Sequence, residues 1–331
     1  MSAPALRDQF GRSIEYLRIS VTDRCNFRCV YCMPPEGLDW LPKGDILSYE
    51  EIAAVVAQLA PLGLRRLRIT GGEPTIRPEL DVLIRQLAAV PGIEDIALST
   101  NGVKLQQDPS LAPRLAAAGL DRVNMSADSL RPERIAAIAR RALGFDPARA
   151  AAAAERAGLG PVKINVVVMR GINDDEIEDF ARLTIEHPWH VRFIELMPVG
   201  EMRALTWDHV VPSPEVLERV AALGPLSPGG GPPRGNGPAE YYQLAGARGS
   251  VGVITPMSHT YCGSCNRVRL TADGQLRTCL FGDHQVNLRD PLRAGEPLGP
   301  YFVRALAEKP KEHNLLQMQV GGLRALSQVG G

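Results

Sequence analysis

An α/β protein built on a parallel sheet, with a smaller C-terminal extension, is the fold class this sequence predicts, and three observations predict it. Six strand-like runs alternate with helical segments at βα spacing, the pattern of a parallel sheet, flat or rolled. The unusual residues gather where those runs end, the face on which βα enzymes place their chemistry. Past residue 205 the alternation stops, and a Gly- and Pro-rich stretch leads into short strands of a different kind. A chain of 331 residues accommodates one large α/β domain plus a smaller one, or two domains of ordinary size.

The first run, YLRISVT (16–22), ends at a cysteine-rich loop. SYEEIAAVVAQLAPLG (48–63) is predicted as a helix, because Ser48 and Glu51 make a capping box and Ile52, Val55, Val56 and Leu59 share one face. RRLRIT (65–70) is the second strand and stops at GGEP. A helix over 78–89 follows, then a strand at IEDIALST (93–100) that ends at Asn101–Gly102. A helix near 109–118 leads to the strand RVNMSADS (122–129), and the alanine-rich 147–157 is a helix lying on the outside. VKINVVVM (162–169), a helix near 174–186 and VRFIELM (191–197) complete the alternation.

PLSPGGGPPRGNGP (225–238) is expected to be a surface loop with no core of its own, dividing a core at 8–224 from an extension at 225–331. Beyond it, SVGVITPM and RVRLTADGQLRTCL read as short strands, the second holding a hairpin turn at Asp273–Gly274. A short helix near 299–308 and a Gly-rich tail close the chain, and no internal repeat is present.

Charge and hydropathy narrow the classes. Lys plus Arg and Asp plus Glu both number 37, so no overall field favours nucleic acid or an anionic membrane surface. MSAPALRDQFGRS lacks the apolar core of a secretory signal, and no uncharged apolar run approaches the roughly 18 residues of a membrane span. The expectation is a soluble, cytoplasmic protein. In that compartment clustered thiols point to metal or redox work rather than structural disulfides.

The 6 cysteines form two groups. Cys25, Cys29 and Cys32 are spaced C-x3-C-x2-C; Cys262, Cys265 and Cys279 are spaced C-x2-C-x13-C. The first group sits among Asp23, Arg24, Asn26 and Arg28, poor surroundings for buried structural thiols. No fourth ligand lies at short spacing, so zinc is disfavoured there, whereas a three-thiolate iron–sulfur cube would leave one iron open. For the second group, His259 three residues before Cys262 keeps a closed four-ligand zinc site in play.

C-x3-C-x2-C directly after a first strand, followed by GGEP after the second, resembles the radical S-adenosylmethionine superfamily. RISVTDRCNFRCVYCMP, RITGGEPTIR, STNG, VNMSADSL, FIELMP and CGSCNRVRLTADGQLRTCLFG resemble, in order, the GTP 3′,8-cyclase family of molybdenum cofactor biosynthesis. The likeness runs from about residue 8 to the final glycines. Only the 225–238 loop is mainly without counterpart.

The resemblance implies a partial (βα)6 TIM-like barrel of the radical SAM type, with a C-terminal cluster-bearing extension. It implies two [4Fe–4S] clusters, one on Cys25, Cys29 and Cys32 and one on Cys262, Cys265 and Cys279, with S-adenosylmethionine bound at the open iron of the first. S-adenosylmethionine contacts fall, by the same resemblance, on Tyr31, Gly72, Ser126 and Met197. GTP contacts fall on Arg18, Arg68, Ser99, Lys163, Arg267 and Arg269. Arg18 and Arg68 alternate with apolar neighbours inside strands, which points their side chains into a barrel, and guanidinium groups suit phosphate oxygens. No Walker A pattern is present.

The implied reaction is cyclisation of GTP to (8S)-3′,8-cyclo-7,8-dihydroguanosine 5′-triphosphate, with an electron donor such as a flavodoxin or ferredoxin. A cyclic pyranopterin monophosphate synthase would receive the product. A homodimer is compatible with the resemblance, and neither nucleic acid nor membrane is a partner. The terminal Gly330 and Gly331, which would ordinarily be a frayed end, are expected to reach the active-site cavity. Two rivals stand beside this. Peptide-modifying maturases of the same superfamily also add C-terminal clusters, though usually on more than three cysteines. A zinc-stabilised scaffold or nucleic-acid binder is disfavoured by the neutral charge and the βα pattern.

Overall fold

The structure, a computed structural model, describes residues 6–197, 205–232, 237–313 and 325–329. Its centre is a run of parallel strands in chain order: β1 (Tyr16–Ser20), β2 (Arg66–Thr70), β3 (Asp95–Thr100), β4 (Arg122–Ser126), β5 (Lys163–Val168) and β6 (His190–Glu195). The six strand-like runs of the sequence are these six strands, five of them shortened within the predicted bounds and β6 beginning one residue earlier and ending two sooner. The expected parallel sheet is present, and it is open rather than closed.

The C-terminal strands do not stand apart. β7 (Leu226–Pro228), β8 (Glu240–Leu244) and β9 (Ser250–Ile254) extend the sheet beyond β6, whereas β10 (Arg267–Leu270), β11 (Gln275–Arg277) and β12 (Gln285–Asn287) extend it beyond β1. β9 lies parallel to β6 and β10 parallel to β1, giving one 12-stranded sheet. The Gly/Pro segment is therefore not loop throughout. Its start forms the outermost strand, where Pro228 is tolerated because an edge leaves backbone donors unused.

Alternation along the strands sorts the two faces. Leu17, Ile19, Leu67, Ile69, Leu98, Val123, Ile164, Val191 and Phe193 pack outward under the helices. The helix Tyr49–Leu59 is capped as expected: Ser48 Oγ accepts from Glu51 N at 3.1 Å, and Glu51 Oε2 accepts from Ser48 N at 2.7 Å. It ends earlier than predicted because Pro61 enters a tighter turn, closed by Gly63 at φ 114°. Helix Pro147–Arg156 presses Ala150, Ala151 and Ala154 against the sheet, so its small residues serve close packing. The inner face carries the polar set, including Arg18, Arg68, Ser99, Asn124, Lys163, Arg192 and Arg269.

Candidate active site

The first cysteine loop is fixed by backbone bonds from three directions. Gly72 N and Glu73 N donate to Thr22 O (2.7 Å) and Arg24 O (2.8 Å), while Arg28 N and Val30 N donate to Ala139 O (2.8 Å) and Ile138 O (3.0 Å). Leu41 N donates to Asp23 Oδ2 at 2.6 Å. A Cβ at Gly72 would collide with the backbone of Asp23 and Arg24, so the glycine is demanded by the loop itself. Cys25, Cys29 and Cys32 share one cleft with Tyr31, Gly72, Glu73, Ser99 and Ser126.

That cleft is acidic. Burial, reinforced by Glu73, pushes the Cys25 thiol up to about 12. Burial and Asp128 push Cys29 well above the usual thiol range, and burial takes Cys32 to about 11. Asp128 is itself raised to about 6 by burial, against a 2.6 Å bond from Tyr31 Oη and a 2.9 Å bond from Val167 N. Glu73 is raised by burial while accepting from Thr75, Thr100 and Asn101.

Next to this cleft lies a cavity of ≈ 220 Å³ walled by Arg18, Arg68, Arg192, Arg267 and Arg269, with Asp128 and Glu195 also in its lining. Arg68 and Arg269 are brought down to about 10 by burial, which leaves both charged at neutral pH. Arg68 donates to Ser99 Oγ at 3.4 Å, and Arg192 to Asn124 Oδ1 at 2.9 Å. Deeper on the inner face, Lys163 is 2 % exposed, and burial together with Arg122, Arg192 and Arg68 lowers its pKa to about 6. Arg122 is balanced by Asp95, with Nε donating to Oδ1 at 2.9 Å. Concentrating this much buried positive charge is costly without an anion to meet it.

The second cysteine group borders the far side. Cys262, Cys265 and Cys279 line a cleft with Arg12, Arg267, Arg269 and Lys309. Burial pushes Cys262 up, whereas at Cys265 the upward push of burial is overcome by Lys309 and Arg267 and the thiol goes down. His259 is absent from this lining; its backbone is tied back to Thr255 by bonds of 3.1 and 3.0 Å. Among the described residues no set of three or more His, Cys, Asp or Glu closes around a single metal ion. His259 therefore does not join the three cysteines as the fourth member that its spacing allowed. Each three-cysteine set lines a single cleft, and three thiolates are the donor type an iron–sulfur cluster takes.

The three spaces form a series. The acidic cleft and the cationic cavity share Tyr31, Ser99 and Ser126, and the cavity and the second cleft share Tyr261, Arg267 and Arg269. The C-terminal turn enters this series: Leu326 lines both first spaces, Ser327 lines the acidic cleft, and Arg269 donates to Val329 O at 3.3 Å. Gly330 and Gly331 lie outside the described residues.

Of the residues singled out from sequence, Tyr31, Ser126, Met197, Arg18, Arg68, Ser99, Arg267 and Arg269 wall the cavity, and Gly72 walls the acidic cleft. Lys163 does not reach the cavity wall. Sequence reasoning passed over Arg192, although the argument used for Arg18, a cation alternating with apolar neighbours in a strand, applies to it equally. It also missed Asp128, Glu73 and Lys309, whose importance comes from tertiary neighbours far away in the chain.

Residues 19–184 match the Radical SAM superfamily model, and residues 189–315 match Molybdenum Cofactor Synthesis C. The chain is 49% identical over 331 residues to a GTP 3′,8-cyclase of Moorella thermoacetica, covering 98% of this chain and 100% of that one. It is 48% identical over 330 residues to a GTP 3′,8-cyclase of Pelotomaculum thermopropionicum, covering 98% and 100%. Among solved structures it is similar to Streptococcus suis SuiB bound to S-adenosylmethionine, with a TM-score of 0.62 and 14% identity over 88% of this chain and 68% of that one. That last likeness speaks to the fold alone.

Proposed function

The chain belongs to the GTP 3′,8-cyclase family, and from that premise we propose how its residues divide the work. It is a radical S-adenosylmethionine lyase that cyclises GTP to (8S)-3′,8-cyclo-7,8-dihydroguanosine 5′-triphosphate in molybdenum cofactor biosynthesis. Its cofactors are S-adenosylmethionine and two [4Fe–4S] clusters, which when bound supply the one-electron cleavage of the sulfonium and hydrogen abstraction from the substrate.

In our reading Cys25, Cys29 and Cys32 hold the first cluster, and Tyr31, Gly72, Ser126 and Met197 hold S-adenosylmethionine. The acidic surroundings of Glu73 and Asp128 suit a ligand that carries a sulfonium and an ammonium. Arg18, Arg68, Ser99, Arg267 and Arg269 bind GTP, and Arg192 belongs with them, because guanidinium groups meet phosphate oxygens bidentately; Lys163, outside the cavity lining, acts on GTP from behind that wall. Cys262, Cys265 and Cys279 hold the second cluster. The turn at 326–329 helps to cover the reacting region, and Gly330 and Gly331 would extend it toward the substrate.

The observation that supports this division is the cationic cavity sharing walls with both thiol clefts, so that an anionic substrate bound there would lie against each. We assign the core chemistry to residues 8–224 and the second cluster and tail to 225–331. No helix among the described residues is long and apolar enough to cross a membrane. A cytoplasmic location, a flavodoxin or ferredoxin as electron donor, product transfer to cyclic pyranopterin monophosphate synthase and a homodimer complete the proposal. Anaerobic incubation with GTP, S-adenosylmethionine and reductant tests it. A product of the same mass as GTP, formed with 5′-deoxyadenosine, is expected; 5′-deoxyadenosine with unchanged GTP under full cluster loading would defeat the substrate assignment.

A further inference from the structure

We propose that Lys309 is a positioning residue for the second cluster, tying together the two segments that carry Cys265 and Cys279 and setting the cluster's reduction potential through its charge and an N–H···S bond. The inference rests on the assignment of Cys262, Cys265 and Cys279 as cluster ligands.

Lys309 follows helix Gly299–Ala307 and is 2 % exposed. Its ammonium donates to Thr278 O at 2.5 Å, Arg267 O at 3.1 Å and Cys265 Sγ at 3.6 Å. An ammonium has three protons to donate, and here all three are directed at the cysteine segments. Thr278 immediately precedes Cys279, and Arg267 follows Cys265 by two residues, so a single side chain fixes the separation of two ligands that lie on different strand ends.

A neighbouring cation shows why Lys309 differs. Arg12 also braces this region, donating to Cys262 O (2.7 Å), Pro310 O (2.6 Å) and Lys311 O (2.8 Å), but its charge is met by Asp8 at 2.5 Å. No carboxylate pairs with Lys309 among the described residues. A buried ammonium without a carboxylate is costly, and the negative groups beside this one are cysteine sulfurs.

The sign of the effect follows. A thiolate-ligated cluster gains negative charge on reduction, so an adjacent cation and a hydrogen bond to a ligand sulfur favour the reduced form and raise the potential. Removing them lowers it. Charge rather than packing is the variable, and Lys309→Gln with Lys309→Arg separates the two.

The test uses the fully loaded enzyme. Iron is counted first in the unaltered protein; zinc, or a single four-iron complement, would defeat the cluster assignment before any variant is read. Midpoint potentials are then measured by redox titration followed by electron paramagnetic resonance. In Lys309→Gln, one of the two midpoints is expected to become more negative while the other stays put, and Lys309→Arg is expected to leave both in place. Loss of about half the iron in the Gln variant, with full iron in the Arg variant, supports the same role. Unmoved midpoints in the Gln variant, or equal iron loss in both variants, would overturn it.

Discussion

The two thiol clefts have the same ligand count and opposite electrostatics. In the first, burial pushes each thiol up, with Glu73 in the wall adding to this at Cys25 and Asp128 of the adjoining cavity at Cys29. The second is set among Arg12, Arg267, Arg269 and Lys309; there burial pushes Cys262 up, but Lys309 and Arg267 bring Cys265 down. Three cysteines therefore do not define one chemistry. In the proposed division the acidic end takes the cationic S-adenosylmethionine and the basic end the nucleoside triphosphate, as their charges suit. The cavity between them shares walls with both clefts.

If the ends have separate duties, breaking the first should be the more severe. Cys29→Ala is expected to abolish 5′-deoxyadenosine formation and to lower iron by about half, because the second site keeps its own ligands. Normal 5′-deoxyadenosine production by that variant would show that the acidic cleft does not house the radical chemistry. Breaking the second end should uncouple rather than silence. Cys265→Ala is expected to lose GTP conversion while still forming some 5′-deoxyadenosine, measured in the same assay. Full cyclisation by this variant would remove the distinction between the clefts.

How much of this contrast was legible beforehand depends on how far apart its parts lie in sequence. The strands, the capping box at Ser48 and Glu51, and both cysteine groups rest on local patterns, and periodicity and spacing exposed them. Arg18 and Arg68 were legible because alternation fixes which face a strand residue takes. The acidic character of the first cleft was not, since Asp128 reaches Cys29 only after β4 and the cysteine loop are folded together. Nor was Lys309, which meets Cys265 from 44 residues away. The placing of β9 and β10 on opposite edges was equally hidden, because nothing local tells a strand which edge it joins.

The wall shared by cavity and second cleft offers a smaller, graded test. Arg267→Ala and Arg269→Ala are each expected to weaken GTP binding by about 1.5–3 kcal/mol, or one to two decades, the usual worth of a hydrogen bond to a charged group. S-adenosylmethionine binding, at the acidic end, should change less. Titration of each ligand under anaerobic conditions reads both numbers, and equal losses for the two ligands would mean that the arginines support the fold rather than the phosphate.

The smallest expected effect concerns Lys163, buried behind the wall of the cationic cavity. Burial, with Arg122, Arg192 and Arg68, holds Lys163 near 6, so at pH 7 to 8 most of it is the neutral amine before substrate arrives. A triphosphate close by would favour the ammonium and raise that pKa. Binding between the two pKa values must then take up part of a proton, and GTP affinity should fall as pH rises through the pKa of the complex. Calorimetry of GTP binding in two buffers with different ionisation heats measures the uptake directly. In Lys163→Met the uptake should vanish, while the acidic cleft, whose lining does not include Lys163, keeps its affinity for S-adenosylmethionine. Proton uptake that persists unchanged in Lys163→Met would place the triphosphate away from this lysine and return the residue to a purely internal role in the sheet's polar face.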